Sequence, residues 1–227
     1  MTKSTSKRSS HASAAAGRAA DRDGDTEQRI LDAARSVFIR RGTSGARMQE
    51  IAAEAGVNQA LLHYYFRSKQ RLAEAIFREA ASRLIPAVLR LLGSDAPLEQ
   101  KVEGFVHLYI DTVREQPFLP GYILAELHQH PERLKGLQEA IGIQPATAAK
   151  TLLAKLRAQL DEGAKSGALR RIAPEQFVVS MLALTVFPFA ARPVLELALG
   201  MDDAGFARFL DHRRAELPAF ILSALRP

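Results

Sequence analysis

Between Arg47 and Lys69 the chain gathers side chains able to hydrogen-bond phosphate oxygens and base edges: Arg47, Asn58, Gln59, His63, Tyr64 and Lys69. Ala60 and Leu61 lie among them, small or apolar enough to rest against a thymine methyl. Groups of this kind read sequence only when a rigid element carries them into a groove, so the flanking pattern must supply one.

The pattern supplies two short helices. Met48, Ile51, Ala52 and Ala55 recur at the three-and-four spacing of one helical face. Gly56 stands just past the last of them, where a left-handed residue ends a helix at little cost. Asn58 is placed to cap a second helix over Gln59 to Phe66, with Val57 and Leu62 packing back on the first. Two short helices joined by a tight glycine turn predict a helix-turn-helix, whose second helix enters the major groove. Ser68 is then the expected cap of the next helix, with Lys69 in its first turn as a phosphate site.

The run AGVNQALLHYYFRSKQRL resembles the DNA-binding signature of TetR-family transcriptional regulators, whose usual form is close to AGVSxGTLYxYFxSKExL. The resemblance extends over about Thr26 to Phe77 and rests above all on the YF-x-SK junction directly after the helix-turn-helix. It implies DNA contacts at Arg47, Asn58, Gln59, Ala60, Leu61, His63, Tyr64 and Lys69. It also implies an all-α homodimer in which a three-helix DNA-binding domain precedes a larger effector-binding and dimerisation domain. The partners so implied are a pseudo-palindromic double-stranded operator, a second copy of the chain and a small-molecule effector. Ala60 and Leu61 replace the family's common glycine and threonine, and His63 a common tyrosine. Arg47 stands where a hydroxyl residue often begins the first motif helix, so a guanidinium is expected to take over its phosphate contact.

Charge is distributed unevenly along the 227 residues, whose formal net charge is +6. Residues 1–25 hold five basic against three acidic residues, 26–72 hold eight against four, and 73–227 hold eighteen of each. The whole excess sits on residues 1–72, the third of the chain that contains the motif, as an electrostatic footprint for phosphate requires. With no cysteine, the chain has neither disulfides nor thiolate metal sites. The longest apolar candidate, Phe177 to Leu199, is interrupted by Pro188, Arg192, Pro193 and Glu196, so no membrane span is expected and the default location is cytoplasmic.

Three segments follow: a basic N-terminal arm, residues 1–25, expected to be disordered because it lacks large apolar residues after Met1; a DNA-binding domain, 26–72; and a ligand-binding and dimerisation domain, 73–227. A helix is expected from Thr26 with Ile30, Leu31, Ala34, Val37 and Phe38 inward, and a long one from Ser68 to about Leu92 as the mechanical link. Beyond Gly93 every signal is helical, including a short helix over Glu132 to Ile141. The region from Phe177 to about Leu199 is apolar nearly all round and, with Ala148 to Leu160, is the expected two-fold interface.

Phe105, Tyr109, Phe118, Tyr122, His128, Phe177 and Met181 are candidates for the wall of an apolar effector pocket, with tyrosine hydroxyls orienting the ligand. His128 and His130 point about 200° apart on a helix, and no phosphate loop, nucleophile elbow or zinc-protease pair occurs. No metal, cofactor or catalytic residue is therefore expected.

Overall fold

The computed structural model describes residues 6–129 and 145–227. Among them ten helices and no strand are found: α1 (Ser6–Gly45), α2 (Met48–Ala55), α3 (Gln59–Tyr65), α4 (Lys69–Leu92), α5 (Leu98–Val113), α6 (Leu119–Gln129), α7 (Pro145–Lys165), α8 (Pro174–Ala190), α9 (Arg192–Leu199) and α10 (Asp203–Ser223). The expected all-α fold is the fold observed. His130 and the short helix expected over Glu132 to Ile141 lie outside the described residues.

The chain packs as two compact units, one ending at Ile76 and the other starting at Phe77. In the first, Ile30, Leu31, Ala34, Val37 and Phe38 of α1 meet Ile51, Ala52 and Ala55 of α2, and Leu62, Phe66, Leu72 and Ile76 are buried with them. The inward stripe read from the sequence is thus the core. α1 departs from expectation at its start, reaching back to Ser6 where residues 1–25 were expected to lack structure. Ala12, Ala14, Ala15, Ala16, Ala19 and Ala20 in this stretch have the highest helix propensity of any residue type. Near its other end α1 loses helical geometry at Gly42 (φ 66°, ψ 167°), a backbone region essentially reserved for glycine.

The second unit has one large apolar core, drawn from Val102, Phe105, Val106 and Ile110 of α5, Leu152, Leu156 and Leu160 of α7, Phe177, Met181 and Phe189 of α8, and Phe206, Leu210, Leu217 and Ile221 of α10. Asp111 on α5 accepts from Arg214 Nε and Nη2 at 2.9 Å, tying α5 to α10. Lys101, buried in the same unit, donates to Gln159 Oε1 (2.8 Å), whose amide nitrogen in turn donates to Ala96 O (2.9 Å).

The single helical region expected over Phe177 to Leu199 is two helices, α8 and α9, bent by 74°. Two prolines explain the break. Pro188 has no amide proton for the carbonyl of Leu184, one turn back, and Arg213 of α10 takes its place by donating from Nε and Nη2 to that oxygen at 3.2 and 2.5 Å. Pro193 occupies the first turn of α9, where a missing amide proton costs nothing. No single helix among the described residues is long and apolar enough to cross a membrane.

Candidate nucleic-acid interface

α2 ends as its sequence dictates. Gly56 is left-handed (φ 65°, ψ 33°), its N–H bonds back into α2, and the Val57 amide closes the turn on Ala52 O at 3.0 Å. Two residues later Asn58 caps α3, its Oδ1 accepting from the Leu61 amide at 2.8 Å. A seven-residue helix is marginal alone, so its position is set by the cap and by one anchor, the fully buried Leu62.

That anchor turns the rest of α3 outward. Gln59, Ala60, Leu61, His63 and Tyr64 are all exposed, Tyr64 at 75%. Tyr65, the remaining residue, faces inward enough for its hydroxyl to donate to the Asp23 carboxylate near the buried half of α1, and that bond raises the phenol's pKa. The rings of Tyr64 and Tyr65 meet edge to face, with centroids 5.3 Å apart.

Arg47, exposed, is the N-cap residue of α2 with extended backbone (φ −115°, ψ 142°) and makes no side-chain capping bond. Ser68 does cap α4, accepting from the Arg71 amide at 3.3 Å. Lys69 is placed differently from the solvent-facing phosphate ligand that its position in the first turn implies. It is half-buried, and its ammonium donates to Ser44 O (2.8 Å) and Ala46 O (3.0 Å) in the turn between α1 and α2.

Sequence reasoning missed the contacts that hold α2 against α1. Arg40 and Ser36 both donate to the Glu54 carboxylate, and these bonds hold that carboxyl down at about 2 from an ordinary 4.5. Arg41 pairs with Glu50 at 3.4 Å. The sequence explains Arg40 and Arg41 equally well as cations at a helix C-terminus; only folding brings the acidic face of α2 opposite them.

In the second unit, Phe105, Phe177 and Met181 are buried in the core, and Tyr109 packs against it with its ring 6.0 Å from those of Phe105 and Phe189. Burial pushes the Tyr109 phenol up to about 12, so it is a neutral donor throughout the physiological range. Phe118 and Tyr122 are half-buried, whereas His128 is exposed in the last turn of α6. None of these seven residues lines the open cleft of about 410 Å³ between α7 and the start of α8, which is bordered by Arg157, Leu160, Arg171, Ile172 and Pro174. Phe189 and Phe206 extend the aromatic cluster, ring centroids 6.4 Å apart, and were not singled out from the sequence because helical spacing does not distinguish them from plain core.

A capped reading helix on a three-helix core, attached to a larger all-α unit, defines a helix-turn-helix protein. Residues 30–76 match the family of bacterial regulatory proteins designated tetR. The chain is 35% identical over 89 residues to the HTH-type transcriptional regulator SrpR of Pseudomonas putida, covering 39% of this chain and 40% of that protein. It is 29% identical over 131 residues to the HTH-type transcriptional regulator BetI of Rhizobium meliloti (strain 1021), covering 57% and 63% respectively. These alignments therefore span less than two thirds of either relative. In fold the chain is similar to HlyIIR, a hemolysin II transcriptional regulator, with a TM-score of 0.55 at 23% identity over 90% of this chain and 98% of that one. Residues 30–76 are thus a DNA-binding segment of the TetR type, carried in a chain whose fold is that of such regulators.

Proposed function

We propose that this protein is a homodimeric, sequence-specific DNA-binding transcriptional regulator, acting as a repressor that a small apolar effector releases. The observation that carries the reading is the division of α3: one buried leucine, a capped start, and Gln59, Ala60, Leu61, His63 and Tyr64 turned to solvent. Hydrogen-bonding groups interleaved with small apolar ones are what a major groove can recognise. Residues 26–72 are the reading head, with Arg47 and Asn58 beside the phosphates and the formal excess of four positive charges drawing it to the duplex.

Pairing of two heads is supported by apolar side chains left uncovered in the second unit. Val179, Leu182 and Phe187 on α8, Val194, Leu197 and Leu199 on α9, and Phe220 on α10 are exposed. Leu152, Leu156 and Leu160 of α7 are buried in the unit's own core, so of the interface expected from Phe177 to Leu199 with Ala148 to Leu160 it is the first stretch, α8 and α9, joined by Phe220 of α10, whose exposed apolar side chains support pairing. A dimer fixes the spacing of two reading helices and makes the operator pseudo-palindromic.

Release by an effector is supported by continuity. α4 is one helix from Lys69 to Leu92, beginning in the head and ending in the residues 73–227 that carry the aromatic cluster around Tyr109. A ligand there must prefer the DNA-incompetent arrangement, and a tenfold loss of operator affinity needs about 1.4 kcal/mol of coupling. The test is titration of the purified protein onto genomic fragments at two salt concentrations. Specific, salt-sensitive retention of a few fragments is expected; uniform retention or none refutes the reading.

A further inference from the structure

The placement of Lys69 departs furthest from what its sequence position implies. Its Nζ is bonded to Ser44 O at 2.8 Å and Ala46 O at 3.0 Å, 25 and 23 residues away. Ser44 lies in the short turn beyond the break at Gly42, at the end of α1, where its carbonyl has no amide within the helix to accept from. Ala46 is buried at 3% exposure and immediately precedes Arg47, the N-cap of α2. One ammonium at the first residue of α4 thus grips the turn that sets where α2 begins.

We infer that Lys69 is a positioning residue rather than a phosphate ligand: it pins the α1–α2 turn to the first turn of α4, so that displacement of α4 is transmitted to the start of α2 and from there, through the Gly56 turn, to α3. An ammonium has three protons, and two are committed to carbonyls inside the head. A lysine that does not reach a phosphate adds nothing to the salt slope, whereas one resting on a phosphate supplies nearly a full ion. The inference rests on the DNA-binding reading only for its affinity consequence; the pin itself is a property of the free protein.

The experiment compares full-length wild type with Lys69→Met and Lys69→Arg. Binding is measured across a salt series to the duplex that the wild type selects from a randomised pool, and amide hydrogen exchange is measured without DNA. Lys69→Met is expected to weaken binding at least tenfold with the slope of log affinity against log salt unchanged. It is also expected to accelerate exchange selectively at residues 46–52, with Lys69→Arg restoring most of both. A slope reduced by about 0.9 per subunit with exchange unchanged would make Lys69 a phosphate ligand and overturn the inference. Unaltered exchange and affinity would overturn it equally. Should Lys69→Met unfold as a whole, Lys69→Gln, which keeps one donor, is read by the same criteria. If the wild type selects no duplex, the DNA-binding reading fails, and the exchange measurement alone decides whether the pin exists.

Discussion

Helices α3 and α8 both leave large side chains in solvent, and the contrast between them separates two kinds of surface. α3 exposes Leu61 and Tyr64 among Gln59 and His63, so each apolar group has a hydrogen-bonding neighbour. α8 exposes Val179, Leu182 and Phe187 while burying Phe177, Met181 and Phe189 on its other side. A face that mixes donors with methyl-sized contacts suits a polar partner read by hydrogen bonds. A face that is apolar on both sides of its helix suits another protein surface.

The largest effect is expected at the residue that lets α3 face outward. Leu62→Ala empties a fully buried site and should cost about 2–5 kcal/mol, lowering the melting temperature and abolishing DNA retention together. If α3 stays folded and active, Leu62 is not its anchor. On α8 the corresponding experiment is the double substitution Leu182→Glu and Phe187→Glu. Burying two carboxylates in an apolar interface should shift the dimer to monomer in sedimentation equilibrium, weakening self-association by at least about 3 kcal/mol while leaving each subunit folded.

Smaller effects are expected at the exposed ring and the cap of α3. Tyr64→Ala removes an exposed ring and should cost operator affinity about 1–3 kcal/mol with no change in thermal stability, a pattern opposite to that of Leu62→Ala. Asn58→Ala deletes the α3 cap and should lower stability by about 1 kcal/mol, measurable by denaturant titration. The smallest effect concerns pH. The Glu54 carboxyl sits at about 2 in the folded protein against an ordinary 4.5, so its contribution is complete above pH 4.5 and disappears as pH falls toward 2. Glu54→Gln should flatten that part of the acid-unfolding curve by lowering stability slightly above pH 4.5 while leaving it unchanged near pH 2, and the loss should be small because the pair is exposed.

Much of the head was legible because its determinants act within one helical turn. Gly56 needs no partner to favour a left-handed end, Asn58 caps the amide three residues on, and the spacing of Met48, Ile51, Ala52 and Ala55 identifies the inward face of α2. The body was legible as helices but not as surfaces. Its aromatic residues recur at helical spacing whether they wall a cavity or fill a core, and the exposure of Val179 beside the burial of Phe177 depends on which neighbours α8 meets.

The order of the helices, the caps of α3 and α4, the outward set on α3 and the concentration of charge in the head follow from the amino-acid string, because each is fixed by residues a few positions apart or by composition. Tertiary structure alone decided that Lys69 reaches Ser44 and Ala46, that Tyr65 meets Asp23, that Glu54 lies opposite Arg40, and that Arg213 supplies the donor Pro188 lacks. Long polar side chains can reach many partners from one backbone position. Which of them is present is settled only when distant helices pack and leave a particular carbonyl or carboxylate within about 3 Å.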